Sequence, residues 1–279
     1  MTPDPITRLS IIIVTYNSRG EIDTALRALR EPAPQVAHEI VIVDNASSDG
    51  TLAHIKTAWP AVRAIDAGGN LGFAAGNNIA IRQSTSELVL FLNPDTRATG
   101  VAIDRLVAAL DADRGAAVIG PRIVDGQGHA ELSFGSMISP LVELRQKILV
   151  RGSQRRMPVI TSLVEAMTRR SRDVDWVSGA CLMIRRADLE AAGLFDERFF
   201  IYTEDVDLCA AVRARGRRVV FFADAHIEHL RGRSVIAAAQ PATMAYRRSH
   251  IAFYEKHHPG WAPILKAYLK IRGRLPDNR

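Results

Sequence analysis

Short apolar runs rich in Ile and Val recur along the first 120 residues, and they constrain the fold more than any other feature. Each run has the length and β-branched content of a strand buried on both faces of a sheet. The runs are LSIIIVTY (9–16), EIVIVDN (39–45), LVLFLN (88–93) and AAVIG (116–120). Stretches with helix-like patterns separate the first runs and follow the third, at 21–30, 51–58, 76–83 and 101–110. This alternation predicts an α/β fold with a mainly parallel sheet covered by helices.

The pattern weakens after residue 125. The segments 140–150 and 158–170 are helix-like, 175–186 and 217–224 are strand-like, and 242–258 and 260–272 are again helix-like. No internal repeat or low-complexity segment is evident, and no linker clearly divides two domains.

Positive charge is concentrated in two stretches. Residues 143–172 hold eight Lys or Arg against two Glu, and residues 231–279 hold ten against two acids. Such stretches suit an anionic partner, such as a phosphorylated ligand, a membrane surface or nucleic acid, but a merely solvated surface explains either one equally well.

The two cysteines, Cys181 and Cys209, lie in apolar or helical contexts without a C-x-x-C pair. We expect them to be reduced core residues of a cytosolic protein. The first residues, MTPDPITR, are not typical of a signal peptide, and no apolar run approaches the ~18 residues of a spanning helix. Any membrane contact is therefore expected to be peripheral.

Polar clusters follow three of the predicted strands, at Thr15–Asn17, Asp44–Asn45 and Asn93–Asp95. A single cluster is explained by turn formation, because Asn, Asp and Pro favour turns. Three clusters at strand ends favour a site, since ligands bind beyond the carboxyl ends of parallel strands.

Three later segments also carry polar or glycine-rich patterns. NLGFAAGNN (70–78) suits close backbone approach to a ligand at a helix start. FFIYTEDVDLC (199–209) places acids at a helix start, with Thr203 as the expected N-cap; the helix dipole explains one or two of them, and a general base is the alternative. HIEHLRGRS (226–234) has two histidines, which are structural or able to share a metal with a distant Asp.

Taken in order, these segments resemble the glycosyltransferase family 2 proteins of the GT-A fold, especially their rhamnosyltransferase-like branch. The similarity covers roughly residues 8–235, and YRRSHIAFYEKHHPG (246–260) is also typical of that branch. The segments that carry it are SIIIVTYNS, EIVIVDNASSDGT, NLGFAAGNN, LFLNPDT, VSGACLMIRR, GLFDERFFIYTEDVDLC and HLRGRS.

The resemblance implies a GT-A domain at 1–235, with a nucleotide-sugar half (1–125) and an acceptor and catalytic-base half (126–235). Residues 236–279 would form a helical C-terminal extension. The implied reaction is an inverting transfer of a sugar from a nucleotide diphosphate to an acceptor hydroxyl.

The resemblance also implies residue roles. Asp205 would be the general base, and Asp95 and His229 would bind Mg²⁺ or Mn²⁺. Trp176, Gly179 and Glu204 would shape the sugar or acceptor site. The donor would contact Thr15, Tyr16, Asn17, Asp44, Asn70, Gly72, Phe73, Asn77, Asn93 and Asp95.

One position departs from the family pattern, because Asn93 replaces the first Asp of the D-x-D motif. The lost charge puts the strictness of metal dependence in doubt, and Arg231 or Arg233 would then meet part of the phosphate charge. The chemistry still fits the residue types. A hard cation offsets charge on a departing diphosphate, and one carboxylate suffices to deprotonate the acceptor. We expect Asp205 to be ionised at neutral pH.

The predicted helix at 260–272 carries an apolar stripe formed by Trp261, Ile264, Leu265, Tyr268 and Leu269. Three uses of this stripe remain open: a membrane interface, packing onto the domain, or a dimer contact.

The first hypothesis is a rhamnosyltransferase that uses dTDP-L-rhamnose and modifies a glycan or polyprenyl-diphosphate-linked acceptor in cell-surface polysaccharide biosynthesis. It would act in the cytoplasm or on the inner face of the cell membrane. The alternatives are a UDP-hexose or UDP-N-acetylhexosamine transferase and a non-catalytic sugar-nucleotide or polysaccharide-binding relative. An oxidoreductase is disfavoured by the missing G-x-G-x-x-G fingerprint, and nucleic-acid binding does not explain the carboxylates.

Overall fold

The computed structural model describes residues 7–230 and 239–276. Its strands, in chain order, are β1 Leu9–Thr15, β2 His38–Asp44, β3 Arg63–Asp66, β4 Leu88–Leu92, β5 Thr96–Arg97, β6 Ala116–Asp125, β7 Phe134–Gly135, β8 Arg172–Val174, β9 Trp176–Val177, β10 Cys181–Arg185 and β11 Arg218–His229. Its helices are α1 Ile22–Arg30, α2 Thr51–Ala58, α3 Phe73–Arg82, α4 Gly100–Ala112, α5 Pro140–Gln154, α6 Pro158–Met167, α7 Arg186–Ala192, α8 Glu204–Arg213, α9 Ala239–His257 and α10 Ala262–Ile271.

The central sheet has the strand order β3-β2-β1-β4-β10-β6-β11-β5, and β8 pairs with β11. Strands β3, β2, β1 and β4 are parallel neighbours, as are β6 and β11. Strand β10 lies antiparallel between β4 and β6. The predicted α/β architecture, a mainly parallel sheet flanked by helices, is therefore confirmed.

The core lies on both faces of this sheet because alternate residues of each strand point to opposite sides. Ile12 and Phe91 belong to one apolar cluster, whereas Ile11, Ile13 and Leu90 belong to the other. All seven residues of β1 and all five of β4 are buried. This burial on both faces is the reason that the two strands are mainly apolar, with Ser10 and Thr15 of β1 as their buried polar residues.

The structure corrects one local prediction and adds one strand that was not predicted. Thr203 precedes α8 but does not cap it through its side chain, because its backbone is left-handed with φ of 67°. Strand β3 was not predicted, since its four residues are exposed or half-buried and carry no apolar run. Cys181 and Cys209 are free and buried, as expected.

The two C-terminal helices pack differently. In α9, Lys256 and His257 both reach the buried Asp207 of α8, at 2.8 and 2.6 Å, and Ser249 donates to the carbonyl of Ile201. Helix α9 therefore supports the segment that precedes and begins α8.

The stripe predicted on 260–272 is divided in α10. Ala262 and Leu269 are buried and Leu265 packs against the core. An exposed row lies beside them, formed by Trp261, Ile264, Tyr268 and Ile271. Packing onto the domain thus accounts for one side of the helix only. Among the described residues, every helix is too short or too polar to cross a bilayer.

Candidate active site

The first part of the site lies where β1 and β2 end side by side. Thr15 pairs with Asp44 in register, and its hydroxyl donates to Asp44 Oδ1 at 3.0 Å. Ser47 donates from its backbone N–H (2.9 Å) and its hydroxyl (2.6 Å) to the same carboxylate. Asp44 is therefore held in one orientation at the sheet edge. Tyr16, the next residue after Thr15, is 45% exposed at the same edge.

Asn17 adopts a left-handed backbone with φ of 51°. Its side-chain oxygen accepts from the N–H of Ser48 at 2.8 Å, and its own N–H donates to the Ser47 hydroxyl. The loops after β1 and β2 are thus fastened to one another. This arrangement brings together the first four predicted donor residues.

Gly72 connects this edge to the segment before α8. The Asn45 side chain donates to the carbonyl of Gly72 at 3.0 Å, and the N–H of Phe73 donates to the carbonyl of Phe200 at 2.6 Å. Gly72 has φ of 89°, and a Cβ placed on it would lie 2.3 Å from the Phe200 oxygen. Only glycine permits this approach of the two loops.

Two neighbouring asparagines of α3 have different surroundings. Asn77 is buried, its amide donates to the carbonyl of Phe73, and its oxygen is buried without a partner. Asn78 both donates to and accepts from the backbone of Phe195, which fixes the turn before the Phe200 segment. Asn70, also predicted to contact the donor, is exposed in the loop before α3.

The segment after β4 forms the second part of the site. Asp95 lies 3.2 Å from His229 Nε2, and His229 Nδ1 lies 3.5 Å from Glu131. Burial alone lowers the pKa of His229, but the hydrogen bonds with Asp95 and Glu131 outweigh it and raise the pKa to about 9. The structure therefore brings together Asp95 and His229, the two residues to which the resemblance assigns the metal.

The predicted base, Asp205, is connected to the segment after β4 by the turn that precedes β10. The N–H of Asn93 donates to the carbonyl of Ala180, and the N–H of Gly179 donates to Asp205 Oδ2 at 2.7 Å. The other oxygen of Asp205 accepts from the N–H of Val206 at 2.8 Å. Burial raises the pKa of Asp205, and these backbone hydrogen bonds offset part of the rise. The carboxylate is a stronger base than the sequence alone led us to expect.

Glu204, next to the base, is 6% exposed, and its Oε2 is buried without a partner. Burial raises the pKa of Glu204 well above its ordinary value of 4.5, and the neighbouring Asp205 raises it further. Tyr202 and Thr203 both have left-handed backbones, at φ of 70° and 67°. Strain of this kind is concentrated at functional sites.

Buried polar oxygens without a partner are rare in folded proteins. Five occur among the described side chains, and four of them lie in the loops and helix starts of the site just described; the fifth is on Thr161 of α6. The four are Asn45 Oδ1, Asn77 Oδ1, Thr203 Oγ1 and Glu204 Oε2. These atoms give the site polar groups that a ligand can satisfy.

Trp176 is 8% exposed, packs against Gly135, and donates from its indole nitrogen to the carbonyl of Ser136 at 2.9 Å. Its role in a sugar site stays a prediction. Arg231 and Arg233, the predicted phosphate contacts, lie outside the described residues.

Sequence reasoning missed Glu131, which contacts His229 from the loop after β6. The surrounding segment GQGHAEL has no periodicity, and its two charged or titratable residues resemble those of any surface loop. Ser47 and Phe200 were also missed: Ser47 resembles any serine of a turn, and Phe200 contacts Phe73 through its backbone carbonyl, which leaves no trace in side-chain chemistry.

Asp95 and His229 have side chains that suit a divalent cation, with the remaining ligands supplied by the substrate. Asp95 offers a carboxylate oxygen and His229 an imidazole nitrogen, and Mn²⁺ accepts both. Among the described residues, no three or more His, Cys, Asp or Glu side chains are arranged to hold a metal. The protein would therefore supply few of the ligands, and substrate phosphate oxygens would complete the set. Metal binding would require His229 to lose its proton.

This sheet, with its loops joined at the carboxyl ends of the strands and a half-buried carboxylate in the first turn of α8, defines a GT-A type glycosyltransferase architecture. A family profile described as Glycosyl transferase family 2 matches residues 10–190. The chain belongs to this family and is a nucleotide-sugar-dependent glycosyltransferase.

Rhamnosyltransferases are among its relatives. It is 28% identical to the N-acetylglucosaminyl-diphospho-decaprenol L-rhamnosyltransferase of Mycobacterium tuberculosis (strain H37Rv), over 97% of this chain and 95% of the relative. It is 26% identical to Rhamnosyltransferase WbbL of Escherichia coli (strain K12), over 78% of this chain and 82% of that protein.

Solved structures share the fold. The mannosyltransferase PcManGT from Pyrobaculum calidifontis, in complex with GDP-Man and Mn²⁺, superposes with a TM-score of 0.60 at 21% identity, over 95% of this chain and 70% of that one. GalNAc-T7 with UDP, GalNAc and Mn²⁺ gives 0.61 at 15% identity, over 88% and 48%. The predicted GT-A fold is thereby confirmed.

Proposed function

We propose that the chain is an inverting, metal-assisted rhamnosyltransferase that transfers L-rhamnose from dTDP-L-rhamnose to a hydroxyl of a lipid-linked glycan. The observation that carries this proposal is the hydrogen-bonded path from Thr15 and Asp44 through Gly72 and Phe200 to the segment of Asp205. Groups suited to hold a nucleotide, a diphosphate and an acceptor proton are placed on one connected set of loops.

Different residues of the site would bind the nucleotide and the metal. Thr15, Tyr16, Asn17 and Asp44 line the nucleotide region, and the N-terminus of α3 adds the backbone of Gly72 and Phe73. Asp95 and His229 would hold Mg²⁺ or Mn²⁺, which supplies positive charge to the departing diphosphate. The presence of Mn²⁺ in the PcManGT and GalNAc-T7 structures supports this assignment.

Asp205 would accept the proton of the acceptor hydroxyl. Its raised pKa and fixed orientation on the Gly179 N–H support this role, because a base is more effective when its pKa lies closer to the working pH. Glu204 would face the sugar or acceptor as a protonated acid, since burial beside Asp205 disfavours a second charge.

The donor and acceptor assignments rest on the relatives. Both named relatives are rhamnosyltransferases, and the mycobacterial one acts on N-acetylglucosaminyl-diphospho-decaprenol by its name. A lipid-linked acceptor would place this enzyme at the cytoplasmic face of a membrane. The exposed row Trp261, Ile264, Tyr268 and Ile271 on α10 is available for such a contact or for a second subunit.

The test of the base is Asp205→Asn. We expect transfer to fall by about 10²–10⁴-fold, the usual contribution of a general base, with dTDP affinity unchanged. The matched control is Glu190→Gln, which removes an exposed acid on α7 and should retain full activity. Undiminished transfer by the Asn variant would show that another group takes the proton.

The donor is tested by thermal shift with dTDP-L-rhamnose, UDP-glucose and UDP-N-acetylglucosamine, each with Mn²⁺. A ligand that binds only the folded chain raises its melting temperature. We expect dTDP-L-rhamnose to give the largest shift. A larger shift with either UDP-sugar would support the alternative donor instead.

A further inference from the structure

Helix α5 exposes an apolar face on the side away from the domain. Leu141, Leu144 and Ile148 are 82%, 60% and 56% exposed, and their spacing places them on one side of the helix. On α6, Val159 and Leu163 are 82% and 45% exposed. We call these five side chains the hairpin face. Among its described residues, α5 has no fully buried apolar side chain, which is unusual for a helix of 15 residues.

The two helices of this hairpin contact each other, and the side opposite the hairpin face is attached to α9. Gly152 of α5 lies so close to Ile160 of α6 that a Cβ would clash with it. Glu143 accepts from His250 (3.0 Å) and Tyr254 (2.9 Å) of α9. The orientation of the hairpin is therefore fixed, and the hairpin face is held outward.

The surroundings of the hairpin face are positively charged. Residues 143–172 contain eight Lys or Arg and two Glu. Both acids are engaged in contacts that hold the hairpin to the domain, Glu143 with His250 and Glu165 with Arg122. The exposed basic side chains are Arg145, Lys147, Arg151, Arg155, Arg156, Arg169, Arg170 and Arg172, of which Lys147 pairs with Glu143 and Arg156 with Asp125.

We propose that the hairpin face docks on an anionic lipid surface, with its aliphatic side chains in the acyl boundary and the arginines at the headgroups. An apolar face rimmed by basic residues is complementary to such a surface. A second copy of this chain would present the same positive charge, and like charges facing one another oppose association. An anionic bilayer is therefore the better partner.

The hairpin is also connected to the proposed base. Tyr246 stacks on His250 at 5.6 Å between ring centroids, and Tyr202, two residues before Glu204, packs edge-on against Tyr246 at 5.7 Å. The imidazole of His258 contacts the carbonyl of Ile138, two residues before α5. Lipid docking would therefore place the base near the bilayer, where a lipid-linked acceptor presents its sugar; this last step rests on the proposed function.

The experiment is co-sedimentation of the full chain with vesicles of phosphatidylcholine, with and without phosphatidylglycerol. The test variant combines Leu141→Ser, Leu144→Ser and Ile148→Ser, and the control is Val101→Ser, an aliphatic residue of α4 that is 51% exposed. We expect the test variant to bind phosphatidylglycerol vesicles at least tenfold more weakly, and the control to bind as the unmodified chain does. A second variant, with Arg145, Arg151 and Arg155 changed to Gln, should lose the dependence on phosphatidylglycerol, whereas Arg27→Gln with Arg30→Gln should keep it.

Three results would overturn the proposal. The first is that the unmodified chain fails to bind anionic vesicles. The second is that the test variant binds them undiminished while Ile264→Ser with Tyr268→Ser on α10 abolishes binding, and the third is that the chain without lipid is a dimer that the test substitutions convert to a monomer. A thermal shift with dTDP and Mn²⁺, measured on the same proteins, distinguishes failure of the lipid-docking proposal from failure of the proposed function. A retained shift with lost docking preserves the enzyme assignment, and a lost shift with retained docking preserves only the lipid surface.

Discussion

At the scale of single residues, Gly72 is the position where two loops of the site come closest. Its φ of 89° suits glycine, and an added methyl group would meet the Phe200 carbonyl at 2.3 Å, where backbone atoms have little freedom to move. We expect Gly72→Ala to reduce stability by about 1–3 kcal/mol through backbone strain, and to reduce transfer at least tenfold because the contact between Phe73 and Phe200 is displaced. Thermal denaturation and initial rates measure the two effects.

The matched control is Gly216→Ala. Gly216 also has a left-handed backbone, at φ of 74°, but a Cβ there would meet nothing within 4 Å. This variant carries the conformational cost without the clash, so its activity should stay near that of the unmodified chain. Equal losses in both variants would mean that φ alone matters and that the approach of the two loops does not.

Residues of this site were predictable where a polar side chain interrupts an apolar pattern. Asp44 and Asp95 follow buried strands, and Asp205 lies among acids at a helix start. Glu131 was not predictable, because it lies in a loop and reaches His229 only through tertiary structure. The raised pKa of Asp205 was also missed, since desolvation depends on neighbours that are distant in sequence.

At the scale of elements, predictability followed burial. Strands β1, β2 and β4 are buried on both faces over much of their length, so their sequences carry long apolar runs. Within the part of the chain that the structure describes, strand β3 pairs only with β2, and its exposed or half-buried residues leave no such run. The stripe on α10 was identified, but which side chains face the domain depends on its packing against α9 and the core. Apolar residues that repeat every 3.6 residues identify the apolar face of a helix, but they do not identify what that face packs against.

The tie between α5 and α9 gives a prediction about acid stability. Burial alone raises the pKa of Glu143, but its hydrogen bonds with His250 and Lys147, and the charges of both, lower it to about 2. The folded-state pKa lies below the ordinary value of 4.5, so the contribution of this carboxylate is complete above pH 4.5 and is lost as the pH falls toward 2. Tyr254 also donates to Glu143 and loses a charged acceptor on acidification.

We therefore expect Glu143→Gln to lower the free energy of unfolding at pH 7 by about 2 kcal/mol, and to flatten its decline between pH 4.5 and 2. Urea denaturation at several pH values measures both quantities. Glu255→Gln is the control, because that acid forms an exposed ion pair with Lys266. A variant whose stability falls with pH as steeply as that of the unmodified chain would mean that other carboxylates govern the acid limb.

At the scale of the whole molecule, the site draws on residues from Thr15 to His229, and α9 supports the base segment from behind. Cooperative unfolding of this unit would separate the cation ligands from the nucleotide loops. Ligand binding should therefore stabilise the entire chain and not one loop, by an amount that follows the ratio of ligand concentration to its dissociation constant. At 100 times that constant the gain is about 2.7 kcal/mol.

This linkage gives the test of metal assistance. With dTDP present, Mn²⁺ should raise the melting temperature of the unmodified chain, and EDTA should reverse the increase. In Asp95→Ala the Mn²⁺-dependent part of the increase should disappear while dTDP alone still stabilises, because Thr15 and Asp44 are unchanged. Asp66→Ala, at an exposed residue ending β3, is the control for loss of a carboxylate at the same edge of the sheet. If Asp95→Ala retains the full Mn²⁺ effect, the cation is held elsewhere. The D-x-D motif, with Asn93 in place of its first Asp, would then not bind the metal.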